Sequence, residues 1–177
     1  MQAFQLIPFP SKALPNIHIN GQVKREENQL SMRYVVQGEI ENLLLRPAFV
    51  SAARKDDLWQ ATCFEFFLAI KDLPGYWEFN MSPSSEWNVY VMDAYRRIGF
   101  REELSIQQLP FEFKQKDNAF ALAISVDLTP FLHSEQKIQL GITAILQTKD
   151  GTETYWALTH PGTQADFHLR ESFVIEL

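Results

Sequence analysis

The chain has little cysteine, no basic excess and no long hydrophobic run. Cys63 stands alone among 177 residues, so no disulfide can form within the chain, which points mildly to a reducing compartment. Lys and Arg total 16 against 22 Asp and Glu, a formal net charge of −6. Phosphates demand a Lys/Arg surface, so no nucleic-acid partner is expected. The short mixed-sign run at 24–27 reads as a solvated turn. The opening MQAFQLIPFPSKALP has no charged segment followed by a long apolar one, and Pro8, Pro10 and Pro15 interrupt it. Neither a signal peptide nor a transmembrane helix is expected, which predicts a cytoplasmic protein with no membrane partner. Phosphate loops, G-x-S-x-G elbows, H-E-x-x-H pairs, cysteine clusters and EF-hand loops are also missing.

What is present is a folding composition: 46% hydrophobic, 21% charged and 13% aromatic, with 14 Phe. The length suits one domain over 1–177, large enough for a two-layer core. Strand signals dominate. Leu30, Met32, Tyr34 and Val36 alternate within 30–37, and Phe120, Leu122, Ile124 and Val126 within 119–126. A long strand is predicted over 137–147, and Asp150-Gly151 marks a hairpin into 154–158. A closing strand is predicted over 171–177. Helix is scarce, with single turns expected near 48–55 and Pro130, while 96–109 carries no clear assignment. Period-2 runs between turns predict an all-β, two-sheet antiparallel sandwich, jelly-roll-like, with little helix.

The richest stretch is 58–97, which reads as three successive strands split by turns at 71–75 and 82–86. Phe64, Phe66, Leu68, Trp77, Phe79 and Met81 take one face. Glu65, Glu78, Asn80, Asn88 and Tyr90 take the other. Polar groups gathered on a sheet face are costly to bury without partners, so they imply solvent or a ligand. With aromatics nearby, a sugar or another polar small molecule is the leading ligand class.

The strings LWQATCFEFFL, YWEFNMSPSSEWNVYVMDAYR and YWALTHPGTQADFHLRESFVIEL resemble the DOMON-like domain family, related to the family 9 carbohydrate-binding modules. The likeness runs over most of the chain, with DG-x-x-x-YWAL-x-HP and DFH in the family's order. It implies a β-sandwich whose concave sheet binds the ligand, two tryptophans clamping a glycan end, and structural calcium in some members. On matching segments it places Glu65, Glu78 and Asn80 in strands, Arg54 before LW, and Trp156 and His160 in YWALTHP.

Each candidate has a plainer alternative. Glu65 and Glu78 can accept hydrogen bonds from sugar hydroxyls, act as an acid/base pair on a glycosidic bond, or form a buried ionic network with Arg54 or Arg96. A deep pocket receiving both carboxylates would favour catalysis; a shallow groove would favour binding. Asn80, Asn88 and Tyr90 fit a polyol as a set. Trp77 and Trp87 fall on the apolar side, which leaves Trp59 and Trp156 as stacking faces. His160, Asp166 and His168 invite a metal reading, or simply hold their loop together. Met81 and Met92 suggest haem ligation only by residue type, with core filling as the alternative. The expected binding set is Arg54, Trp59, Glu65, Glu78, Asn80, Asn88, Tyr90, Arg96, Trp156 and His160. Its role is non-catalytic binding of a carbohydrate or similar ligand, the alternatives being an enzyme acting on a sugar derivative and a protein-interaction domain.

Overall fold

The computed structural model describes residues 1–47, 52–96 and 100–177. Among these, helix is confined to 3-10 turns at Ile40–Asn42, Leu58–Gln60 and Arg170–Ser172. The strands are β1 (Gln2–Pro8), β2 (Ile17–Glu26), β3 (Gln29–Gly38), β4 (Ala53–Arg54), β5 (Cys63–Ile70), β6 (Tyr76–Met81) and β7 (Glu86–Met92). They continue as β8 (Arg101–Glu102), β9 (Phe111–Lys116), β10 (Ala119–Asp127), β11 (Ile138–Gln147), β12 (Glu153–Ala157) and β13 (Ile175–Glu176).

One curled, mixed sheet joins them in the order β4-β7-β6-β5-β11-β12-β1-β2-β3-β10-β9, with β13 beside β11 and β8 beside β7. The β4–β7 ladder is parallel. The expectation of two separate sheets is corrected here, because β1 belongs to both halves. Its residues from Gln2 to Leu6 pair with β2, while Ile7 and Pro8 pair with β12. Pairing on both sides satisfies backbone groups that a free edge would leave open, and it makes the sheet continuous. The result is a half-barrel.

Period-2 alternation fills the inside of the curl. Phe64, Phe66 and Leu68 from β5 and Phe79 and Met81 from β6 meet Tyr34, Leu122 and their neighbours from the other half. Phe64 lies edge-on to Tyr34 at 5.2 Å and to Phe120 at 5.7 Å. The buried Tyr34 hydroxyl donates to the Glu65 carbonyl at 2.7 Å. β5 is buried on both faces except at Ile70. Its second face belongs to a separate cluster of Phe67, Tyr76, Tyr90, Phe167 and Phe173.

Three local expectations change. Residues 48–51 lie outside the described residues, and Ala53 and Arg54 are strand instead of turn, paired to Glu86 and Trp87. The closing strand shortens to Ile175–Glu176, because a 3-10 turn occupies Arg170–Ser172. The unassigned stretch supplies β8. The turn near Pro130 forms, closed by N–H donation from Phe131 and Leu132 to the Leu128 carbonyl. No helix among the described residues is long and apolar enough to cross a membrane.

Tyr34→Phe deletes the hydroxyl that ties one half of the curl to the other without changing the packing. The loss is expected to be about 1 kcal/mol. That corresponds to a melting temperature lower by about 2–4 °C for a chain of this size. Thermal unfolding followed by circular dichroism measures it, and an unshifted transition would show that the bond does not help join the halves.

Candidate functional site

Strand register assembles the site. On the face turned away from the main core, Thr143 stands opposite Glu65, Glu65 opposite Asn80, and Asn80 opposite Asn88. This is a polar row across β11, β5, β6 and β7. One step along, Phe67 stands opposite Glu78, Glu78 opposite Tyr90, and Tyr90 opposite Glu102. The five polar residues read from the sequence therefore do share a face. That face is covered, not open: Glu65 is 2% exposed, Glu78 5%, and Asn80 and Asn88 0%.

The cover comes from three connections. Residues 56–59 bring Asp56, Asp57 and Trp59, residue 100 brings a Phe ring, and the segment after β12 brings Phe167 and His168. Between cover and sheet lies a cavity of about 690 Å³. The sheet contributes Glu65, Phe67, Glu78, Met92, Ile145 and Tyr155 to its lining. Tyr90 sits beneath, stacked on Phe100 at 4.4 Å and edge-on to Trp59 at 5.8 Å.

The two acids sit without a cationic partner of their own. Among the described residues no Lys or Arg forms an ion pair with either; the closest basic group is His168 Nε2, 4.0 Å from Glu78 Oε2. Burial raises the Glu78 pKa from 4.5 to about 7, against the Asn80 amide, which donates to Oε1 at 2.8 Å, and the field of Arg96. Burial and then the Glu78 charge push Glu65 well above the carboxylate range, against hydrogen bonds from Thr143 and Cys63. Glu65 Oε1 and the facing Asn80 Oδ1 are both buried without a partner among the described residues.

His168 is held neutral, its pKa lowered to about 4 by burial and then by Arg96, with Asp166 opposing. Its Nδ1 lies 2.8 Å from the Tyr76 hydroxyl, which accepts from the Arg96 N–H at 3.5 Å. Burial pushes Tyr76 up to about 12, so it remains a phenol hydrogen-bonded to Nδ1. The neutral ring turns Nε2 toward Glu78. Asp166 fixes this wall. It accepts from Tyr95 Oη at 2.6 Å, from Arg96 Nη2 at 3.0 Å and from the His168 N–H at 3.0 Å.

The residues expected to bind separate into liners and supports. Trp59, Glu65, Glu78 and Arg96 line the cavity. Asn80, Asn88 and Tyr90 lie under it: Asn88 Nδ2 reaches Asp56 and Glu102, and the Tyr90 hydroxyl donates to Asp56 at 2.7 Å. Three placements are corrected. Arg54 does not reach the cavity, because its guanidinium lies 4.4 Å over the Trp87 ring and donates to Asn88 Oδ1 and the Glu103 and Ile106 carbonyls. Trp156 is 3% exposed in the main core, its Nε1 donating to Thr154, because alternation in β12 turns it inward. His160 holds its turn to β1, with Nε2 2.9 Å from the Ile7 carbonyl and its ring against Phe9. The ionic network with Arg54 or Arg96 does not form; Arg96 pairs with Asp166 instead.

The sequence reading missed Asp56, Asp57, Phe67, Phe100, Tyr155 and Phe167, and gave His168 only a metal or loop role. Alternation offered a signal for Phe67 and Tyr155, which lie in step with Glu65 and out of step with Trp156. The residues on connections gave none. Among the described residues, no three His, Cys, Asp or Glu side chains gather as a metal cluster. Met81 points into the main core while Met92 lines the cavity, so they cannot serve one haem.

Glu78 makes stability depend on pH with a definite sign. A carboxyl at 4.5 unfolded and about 7 folded contributes stability that is full below pH 4.5 and lost as pH rises through 7. Glu78→Gln removes the loss. The variant is expected to gain on the parent as pH rises from 4.5 to 7.5, and to level off above that. Denaturant midpoints across this range check it; a constant difference would mean that Glu78 titrates alike in both states.

No protein-family model matches the chain, and no curated protein matches it. Solved structures do. A candidate carbohydrate-binding protein from Bacteroides uniformis superposes with a TM-score of 0.70 at 13% identity, covering 97% of this chain and 84% of the other. A family 9 carbohydrate-binding module from Caldicellulosiruptor kristjanssonii, in complex with cellotriose, superposes with a TM-score of 0.51 at 11% identity, covering 86% of this chain and 71% of the module. At these identities the likeness is one of fold: the chain shares the architecture of proteins described as carbohydrate-binding.

Proposed function

We propose that the cavity binds a carbohydrate or a similar polar small ligand without transforming it. The observation that carries this is the facing pair of His168 Nε2 and Glu78 Oε2, 4.0 Å apart on the cavity lining. The gap is too long for a direct hydrogen bond, and it sets two polar groups against each other with a hydrogen bond unmade between them. A hydroxyl both accepts and donates, so one lodged beside the pair satisfies both groups. Trp59, Phe100 and Tyr155 offer apolar faces for sugar C–H groups. A volume of about 690 Å³ falls in the usual range for small-ligand pockets. The resemblance to DOMON-like domains and the folds of the structural neighbours support the same reading.

A glycan array followed by calorimetry tests it. Binding to at least one mono- or oligosaccharide is expected. Trp59→Ala and His168→Phe should each weaken it about tenfold, or ~1.4 kcal/mol, with melting temperatures near the parent's. No binding to any sugar, from monosaccharide to oligosaccharide, would remove the carbohydrate claim.

A second reading has one observation in its favour: the pocket is covered and receives both carboxylates, the arrangement that suits an enzyme acting on a sugar derivative. In that case Glu65→Gln and Glu78→Gln abolish turnover of a substrate found by screening. Turnover that survives both substitutions rejects catalysis through these two glutamates.

A further inference from the structure

Among the described residues, the charges around the cavity do not balance. Asp56, Asp57, Glu65 and Glu78 all line it, against Arg96 and His168. Arg96 is committed to Asp166 at 3.0 Å, and His168 is neutral. Among the described residues no Lys or Arg forms an ion pair with any of the four acids. Acceptors are also in excess near Glu78. Among the described residues, its Oε2 has only His168 Nε2 nearby, 4.0 Å away and beyond hydrogen-bond reach, and the adjoining Glu65 Oε1 and Asn80 Oδ1 are buried without partners. The remaining lining includes the rings of Trp59, Phe67, Phe100, Tyr155 and Phe167, whose faces attract cations.

Resting on the carbohydrate reading, we propose that the cavity selects an amino sugar with a free, protonated primary amine over its neutral counterparts. A hydroxyl offers one donor and no charge. A primary ammonium offers three N–H donors and the positive charge that Glu78 lacks. Buried carboxylates are stable when paired, and such a ligand supplies a cation that no described Lys or Arg gives Glu78. Acylation of the amine removes the charge and two of the donors, so an N-acetylated sugar loses the advantage.

Calorimetry at pH 7.5 with glucosamine, glucose, N-acetylglucosamine and 1,4-diaminobutane tests the proposal. Glucosamine is expected to bind at least tenfold more tightly than glucose, and N-acetylglucosamine no more tightly than glucose. Glu78→Gln keeps an acceptor and loses the charge. It should weaken glucosamine at least tenfold, and more than it weakens glucose. Asp57→Asn is a second variant: Asp57 sits at φ 61°, a left-handed conformation that Asn tolerates, and the change should weaken glucosamine more than glucose. Glucose bound as tightly as glucosamine would overturn the amine preference and leave the carbohydrate reading standing. Diaminobutane bound with no sugar bound would overturn the carbohydrate reading and with it the amino sugar. Silence from all four probes would overturn both.

Discussion

Glu65 faces Asn80 across the β5–β6 ladder, and Phe67 faces Glu78 one step further along. That register places two carboxyls on the same side of the sheet, next to each other and under an aromatic cover. A carboxylate removed from water without a cation raises its pKa instead of keeping its charge. The raised pKa values of Glu65 and Glu78 and the amide of Asn80 beside them all follow from this constraint. A slip of one residue in the ladder would turn the acids into the main core and Phe66 and Phe79 outward.

The sheet manages this because its two faces do different work. The inner face of the curl is almost wholly apolar, and it contains the large hydrophobic cluster. The outer face of β5, β6, β7, β11 and β12 mixes aromatic and polar residues and has its own cover. Tyr34 links the two, since its ring packs in the main core and its hydroxyl holds the backbone of Glu65. The strand that carries the deepest acid is thus fixed from behind by apolar packing and a single buried hydrogen bond.

Around the cavity, the side chains that can meet a ligand are distinct from those that hold them. Asn88 and Tyr90 anchor Asp56, Asp166 anchors Arg96 and His168, and Tyr76 holds the ring of His168 through Nδ1. Arg54 closes the far side by binding Asn88 and two backbone carbonyls while stacking on Trp87. Such supports fix the polar groups of the cavity through the protein's own contacts, which is what a preorganised binding site requires.

Alternation in the sequence was enough to read β3, β5, β6, β7, β10, β11 and β12, and to put Glu65, Glu78, Asn80, Asn88 and Tyr90 on one face, because a strand repeats every two residues. It did not reveal β1, whose prolines hid a strand shared between both halves, nor the exposed edge strand β9. The same periodicity, applied to β12, would have turned Trp156 inward. Composition and local pattern thus determined a β-rich chain with an acidic, aromatic sheet face. Only the tertiary structure decided that this face is roofed, that Asp56, Phe100, Phe167 and His168 reach it, and that Arg54 and His160 do not. Those residues lie far apart in the chain or on irregular connections, and their meeting depends on long-range packing that no local period encodes.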